Sequence, residues 1–272
     1  MIGVSIVLYK TSPRELYNCV ESFANCDLVS KIYLIDNFKD QAGVYQYRDH
    51  RVEYFFSGAN FGYGKAHNMG IRKSLKDGLK FHIVLNSDTN LGELDIGRLI
   101  DVYEKNDDFG ILIPQVRDDD GNVSVVAKLL PSPAIMIARM MKIDRYFNKA
   151  YNRFNLTAFS ENEFIFAPYI SGCFMFFSTK KISEIGFFDE RFFMYPEDID
   201  LSRRFWGKYK NVLFSSEYIT HSHRGESKKS PKMFYVHINN MARFFWKWGW
   251  LIDRERGKIN EIAISLNAGG RQ

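Results

Sequence analysis

At 272 residues, with 46% hydrophobic and 25% charged side chains, the chain is long enough for one large domain with a substantial core, and its composition excludes disorder over most of its length. A formal charge of +5 is too mild to call for nucleic acid as a partner. Three cysteines (Cys19, Cys26, Cys173) without C-x-x-C spacing argue against a disulfide framework and a zinc site, so a reducing, cytoplasmic setting is expected.

The opening Met1–Tyr9 runs straight into a strand pattern over 3–9 without a basic leader, so no signal peptide is expected. β-branched or aromatic runs then alternate with helical patterns: helix 13–25, strands 31–35 and 52–56, helix 64–76, strand 81–86, helix 93–105 and strand 110–113. This alternation predicts an α/β fold with a mostly parallel sheet flanked by helices, which binds ligands beyond the carboxyl ends of its strands. Polar residues stand at those ends: Tyr9-Lys10, Asp36-Asn37, the stretch 57–64 and Asn86-Ser87-Asp88.

Beyond residue 115 the pattern changes. Asp118 to Asn122 reads as a hairpin turn between 113–116 and 123–126, 132–150 as one amphipathic helix, and Phe174–Ser178 as a buried strand. The longest apolar stretch, Phe164–Phe177, is interrupted by Pro168, Ser171 and Gly172 and is too short to span a bilayer. A helix over 234–250 carries Phe234, Tyr235, Phe244, Phe245, Trp246, Trp248 and Trp250 among basic residues, and 251–272 reads as a polar, loose tail. Arg224, Lys228, Lys229 and Lys232 precede that helix, so peripheral contact with an anionic membrane surface is expected.

Three motifs carry chemistry. Tyr195-Pro196-Glu197-Asp198-Ile199-Asp200 followed by Arg203-Arg204 reads as a helix start with Pro196 in its first position and acids in its first turn. Glu197 and Asp200 are three apart and share a face, Asp198 points elsewhere, and Asp200 is expected to brace Arg203 or Arg204. Phe81-His82-Ile83-Val84-Leu85-Asn86-Ser87-Asp88 is an apolar strand ending in a carboxylate, a candidate oxygen ligand for Mg²⁺ or Mn²⁺. Gly58-Ala59-Asn60-Phe61-Gly62-Tyr63-Gly64-Lys65-Ala66 lets a backbone approach an anion at a helix start. It lacks the first glycine and the hydroxyl of a nucleoside-triphosphate loop and the spacing of a dinucleotide fingerprint, so both stand only as alternatives.

In order along the chain, Val4-Ser5-Ile6-Val7, Ile35-Asp36-Asn37, Asn60-Phe61-Gly62-Tyr63-Gly64 with Asn68 and Gly70, Leu85-Asn86-Ser87-Asp88-Thr89, Ser171-Gly172-Cys173-Phe174-Met175, Gly186 to Phe193, Glu197-Asp198-Ile199-Asp200-Leu201 and Thr220-His221 with Ser227 resemble the inverting nucleotide-sugar glycosyltransferases of family 2, particularly rhamnosyltransferase-like members, with a GT-A fold. The resemblance covers roughly residues 3 to 245. It implies a GT-A domain over 1–230, with a donor half to about 115 and an acceptor half beyond, followed by a C-terminal helix and tail over 231–272.

It further implies that Leu8, Tyr9 and Asp36 line the nucleoside pocket and that Asn60, Gly64 and Asn68 border the diphosphate sugar, with Asn86 and Ser87 beside them. Asp88 would hold a divalent metal as the last residue of a D-x-D motif whose first position is Asn86 here. His221 would complete the metal shell, with His223 the competing choice. Asp198 corresponds to the catalytic base, supported by Glu197, Asp200 and Arg204, and Gly172 and Cys173 would face the acceptor. The implied partners are a dTDP- or UDP-sugar donor and a glycan acceptor on a polyprenyl diphosphate. A catalytically idle nucleotide-sugar binding protein is the reading from another class, encouraged by Asn86 and opposed by Glu197-Asp198.

Overall fold

The computed structural model describes residues 1–38, 49–141, 143, 148–222, 231–250 and 253–269, with 231–233 by backbone alone. His223, Arg224, Ser227, Lys228 and Lys229 lie outside the described residues, as does the Lys232 side chain. The first half runs β1 (Ile2–Leu8), α1 (Pro13–Glu21), β2 (Val29–Asp36), β3 (Val52–Phe56), α2 (Tyr63–Lys76), β4 (Phe81–Asn86), β5 (Thr89–Asn90), α3 (Ile96–Lys105) and β6 (Phe109–Arg117). Short polar side chains set the helix starts. Ser12 and Glu15 form a reciprocal capping box in front of Pro13. Asp95 accepts from the Arg98 N–H, which starts α3 three residues later than the periodicity places it.

The second half adds β7 (Val123–Ser124), β8 (Ala127–Lys128), α4 (Pro133–Met140), α5 (Asn148–Phe154), β9 (Phe164–Phe166), β10 (Tyr169–Ile170), β11 (Phe174–Ser178), α6 (Thr179–Ile185), α7 (Glu197–Trp206), β12 (Lys210–His221), α8 (Pro231–Trp248) and α9 (Arg254–Gly269). The main sheet has the order β3-β2-β1-β4-β11-β6-β12-β5. Its ladders are parallel throughout β3-β2-β1-β4, whereas β11 runs antiparallel between β4 and β6. The order reverses between β1 and β4, so their carboxyl ends splay apart there. Thr11 Oγ1 and Ser87 Oγ meet 3.2 Å apart across that point.

The abundant phenylalanines fill the space beneath this sheet. Phe81, Phe174, Phe176, Phe177 and Phe205 are fully buried, with Phe81 stacked on Phe176 at 5.0 Å. Each such ring contributes roughly 1.5–3 kcal/mol of burial. One polar thread crosses the core: Ser74 Oγ lies 2.7 Å from His82 Nδ1, His82 Nε2 2.8 Å from Ser5 Oγ, and Ser5 Oγ 2.7 Å from His67 Nδ1. Burial pushes the His82 imidazole down to about 3, and His67 well below its ordinary value, so both are neutral.

Three expectations are corrected. The segment 132–150 is not one helix, since α4 ends at Met140 and α5 starts at Asn148. Pro196 stands just before α7 as its capping residue instead of opening it. The tail is not loose: α9 is docked by two asparagines that imitate a neighbouring strand. Asn267, fully buried, accepts from the Phe166 N–H and donates to its carbonyl, both at 2.8 Å, and Asn260 grips both backbone groups of Leu130. The buried Arg203–Asp253 pair, with contacts of 2.6 and 2.9 Å, ties α7 to the approach of α9. The pattern was illegible because two side-chain amides, and not an apolar stripe, make the attachment.

Asn267→Ala leaves both Phe166 backbone groups unsatisfied and is expected to cost about 1–3 kcal/mol in urea unfolding. An unchanged midpoint would show α9 to be dispensable. Because the unfolded chain binds protons that His82 refuses when folded, stability falls as pH drops below about 6.5, by about 1.4 kcal/mol per unit for this group. Urea midpoints between pH 7 and 5 should therefore slope less steeply in His82→Gln than in wild type, and equal slopes would refute a neutral buried His82.

Candidate active site

Two helix starts and three strand ends converge at the switch point. Gly62 makes the turn into α2 at φ +83°, and a Cβ there would lie 2.0 Å from the Phe193 carbonyl oxygen, which the Tyr63 N–H binds at 2.9 Å. A Cβ on Gly64 would meet Phe188 at 2.9 Å and Glu197 at 3.4 Å, so its absence lets the start of α2 lie against the start of α7. Asn60 Oδ1 accepts from the Gly62 N–H, and Asn37 donates to the Gly62 carbonyl, which fixes the loop between β3 and α2.

Tyr63 is the centre that sequence reasoning missed. Its hydroxyl lies 2.5 Å from the Gly172 carbonyl and 3.0 Å from Asn86 Oδ1, while its ring packs edge-on against His67 at 4.3 Å. Asn86 Nδ2 is 3.1 Å from His221 Nε2, which lies 2.9 Å from Asp88 Oδ1. Strand pairing explains the meeting of residues so far apart in sequence: His221 at the end of β12 registers with Thr89 in β5, and the Ser222 N–H binds the Asp88 carbonyl at 3.0 Å.

On the other side of Gly172 stands Asp198. Its Oδ2 accepts from the Gly172 N–H at 3.3 Å and its Oδ1 from the Ile199 N–H at 2.8 Å. Desolvation raises the Asp198 carboxyl, with those N–H groups and Lys128 opposing the rise. Glu197 is more deeply buried and its Oε2 has no hydrogen-bond partner among the described residues. Desolvation first, and then the charge of Asp198, pushes its carboxyl well above the usual carboxylate range. Both carboxyls are raised, Glu197 the more strongly, so Glu197 holds a proton more readily than Asp198 does.

The remaining candidates fall on two sides of this centre. Leu8 and Asp36 face each other in register at the ends of β1 and β2, both almost fully buried, and the Asp36 carboxylate accepts from Tyr54 Oη at 2.6 Å and the Phe38 N–H at 2.8 Å. Tyr9, half exposed, meets Phe38 edge-on at 5.7 Å beside them. Ser87 touches Thr11, and the Cys173 thiol is buried, which pushes it up to about 11, leaving its backbone paired with Asn86.

Asn68, Asp200 and Arg204 are not brought to the crevice. Asn68 is fully buried and spends its amide on both backbone groups of Phe188 and on Glu190. Asp200, also fully buried, binds Arg204, Lys247 and the Trp248 indole at 2.6–2.9 Å, and Arg204 holds the carbonyls of residues 185–187. The expected bracing of Arg204 by Asp200 is what the structure shows, whereas Glu197 sits with Asp198 and Tyr63 and not with Asp200.

A carboxylate and an imidazole 2.9 Å apart suit a divalent cation that keeps its other positions for phosphate oxygens and water, so Asp88 and His221 fit the implied metal. Among the described residues no third acid, histidine or cysteine joins them.

Residues 4–186 match the model of "Glycosyl transferase family 2". The chain belongs to that family. It is similar to the N-acetylglucosaminyl-diphospho-decaprenol L-rhamnosyltransferase of Mycobacterium tuberculosis, 30% identical over 234 residues that make up 76% of this chain and 72% of that one. It is also 26% identical to the low-salt glycan biosynthesis hexosyltransferase Agl10 of Haloferax volcanii, over 75% of this chain and only 61% of the relative's length. The fold resembles the crystal structure of GalNAc-T7 with UDP, GalNAc and Mn²⁺, with a TM-score of 0.65 at 16% identity over 91% of this chain and 48% of that one. Staphylococcus aureus TarS gives a TM-score of 0.57 at 14% identity over 95% of this chain and 42% of TarS. These likenesses identify a GT-A-type architecture, and the chain spans about half the length of those solved structures.

His221→Ala is expected to weaken Mn²⁺ binding in the presence of a nucleoside diphosphate by at least the roughly tenfold seen for loss of outer-shell partners. Counting free Mn²⁺ by electron paramagnetic resonance measures it, and unaltered affinity in both His221→Ala and Asp88→Ala would place the metal elsewhere.

Proposed function

We propose that the chain is an inverting glycosyltransferase that moves a hexose, with rhamnose from dTDP-rhamnose as the first choice, onto a growing glycan of a bacterial surface polysaccharide such as O-antigen or capsule. The observation that carries this reading is one connected line of side chains: Asp88 and His221 at one end, Asn86, Tyr63 and Gly172 in the middle, and Asp198 at the other. It sets a cation-binding pair and a carboxylate on either side of the space where a sugar would lie.

Donor binding falls to the β1–β2 side. Leu8, Tyr9 and Asp36 border the nucleoside, and the backbone of Asn60 to Gly64 borders the diphosphate. A cation held by Asp88 and His221 supplies charge neutralisation of the departing diphosphate. An acceptor hydroxyl attacks the anomeric carbon from the face opposite that diphosphate. A new C–O bond forms, the C–O bond to phosphorus breaks, and Asp198 takes the hydroxyl proton. Glu197, whose carboxyl is pushed up further, holds its proton the more readily, which leaves Asp198 to act as the base.

A lipid-borne acceptor accords with the similarity to a decaprenol-linked sugar transferase. Exposed Phe234, Tyr235 and Trp246 on α8 supply an apolar surface for contact with the inner face of the cell membrane. Among the described residues no helix is long and apolar enough to cross it. The similarity to a hexosyltransferase supports a second reading, a UDP-hexose donor at the same site.

Turnover separates the two acids. Asp198→Asn should lower kcat by about 10²–10⁴ without lowering Tm, whereas Glu197→Gln, which replaces a neutral acid by a neutral amide, should retain most of it. Because Asp198 titrates above the usual aspartate range, kcat should rise with pH through that raised value and then level off. Assay with dTDP- and UDP-sugars from pH 4 to 8 tests this, and equal losses in both variants would remove Asp198 from the role of base.

A further inference from the structure

Two cations near Tyr169, Lys128 and Arg139, form no direct salt bridge among the described residues, although Asp198 lies within Coulomb reach of Lys128. Lys128 in β8 pairs directly with Tyr169 in β10, and its Nζ lies 5.2 Å from the Tyr169 ring centroid. Tyr169 in turn interacts through its hydroxyl with Asp198. The Lys128 side chain is 9% exposed, yet it makes no ion pair or hydrogen bond among the described residues. Arg139 near the end of α4 is half-buried, lies 6.0 Å from the Phe154 ring centroid and is within Coulomb reach of Lys128, Tyr169 and His237.

His237 in α8 completes the group. Its ring stacks on Tyr195 at 5.0 Å, just ahead of the Glu197-Asp198 turn, and its Nε2 is buried without a hydrogen-bond partner among the described residues. The Asn240 amide holds the Met194 carbonyl at 2.9 Å, which fixes this part of α8 against the same turn. Burying an ammonium that forms no direct salt bridge and an imidazole nitrogen without a hydrogen bond costs free energy that an anionic ligand returns. Desolvation pulls Lys128 down to about 8, and the charge of nearby Asp198 offsets that fall only in part.

We propose that Lys128, Arg139 and His237 form an anion site for the diphosphate of a lipid-linked acceptor, distinct from the donor diphosphate site at Asp88 and His221. The inference rests on the transferase reading and adds the residues that hold the acceptor. The lipid source of the anion is argued from the neighbouring sequence: Ile137 on α4, Met141 just after it, and Phe234, Tyr235 and Ile238 on α8 are exposed apolar side chains within three residues of Arg139 or His237. A diphosphate held there places the sugar it carries next to Asp198, and the prenyl chain leaves over the apolar faces of α4 and α8.

The test is calorimetric titration of the full chain with farnesyl diphosphate, inorganic pyrophosphate and farnesol, and separately with dTDP and UDP in Mn²⁺. Wild type should bind farnesyl diphosphate more tightly than pyrophosphate, and farnesol without measurable heat. Lys128→Met and Arg139→Gln should each weaken farnesyl diphosphate by at least about tenfold and leave nucleotide affinity unchanged. Lys128→Arg, which keeps the charge, should bind close to wild type. Arg139 is partly exposed, so its variant reports on the site even if Lys128→Met fails to fold. Farnesyl diphosphate binding that survives in Arg139→Gln and Lys128→Met, or that disappears when dTDP or UDP with Mn²⁺ saturates the chain, would overturn the site. Pyrophosphate binding as tightly as farnesyl diphosphate would overturn the lipid assignment. Failure of every nucleotide to bind would instead sink the transferase reading, which the same samples report independently.

Discussion

The site depends on one close approach, that of the start of α2 to the start of α7. Gly62 and Gly64 permit it, because side chains there would occupy the space taken by the Phe193 carbonyl and by Phe188 and Glu197. Once the two helix starts touch, Tyr63 is carried over the sheet end and reaches both Asn86 on β4 and Gly172 ahead of β11. Asn86 then lies beside His221, and Gly172 beside Asp198. A single packing contact thus links the Asp88–His221 pair to Asp198, a span that the proposed transfer needs held to within about half an ångström.

The same contact creates the electrostatics. Two acids adjacent in sequence would both ionise in water, but the junction of α2 and α7 buries Glu197 more deeply and gives Asp198 two backbone N–H donors. Desolvation then raises both carboxyls, Glu197 the more strongly, so the two differ in how readily they hold a proton. The neutral histidines of the thread from Ser74 to His67 follow from the same physics, and they support Tyr63 from below through the His67 ring. Buried polar groups here are used in pairs, each giving the next its hydrogen bond.

The C-terminal helices hold this junction from outside. Asp200 gathers Arg204, Lys247 and Trp248, so α8 is clamped to α7 through a carboxylate only two residues after Asp198. Arg203 and Asp253 extend the clamp toward α9, and Asn260 and Asn267 fasten α9 to the backbone at Leu130 and Phe166. Removing one partner of the buried Arg203–Asp253 pair would leave a charge uncompensated, so this contact fixes where α7 meets the approach to α9.

The sequence by itself determined the alternating strands and helices of the first half, the hairpin after β6, and the acidic helix start, because periodicity and capping act within a few residues. It also carried the order of motifs that marks family 2, and it named Asp88, His221, Asp198 and Gly172, which the fold brings to one end of the sheet. Only the tertiary structure decided that Asn68 and Asp200 turn away from the crevice, that Tyr63 links its parts, and that Lys128 and Arg139 form no direct salt bridge among the described residues near Asp198. Those outcomes depend on contacts between residues as many as 135 positions apart, such as Asn86 and His221, and on burial, which sets the protonation of a carboxyl or ammonium group regardless of its neighbours along the chain.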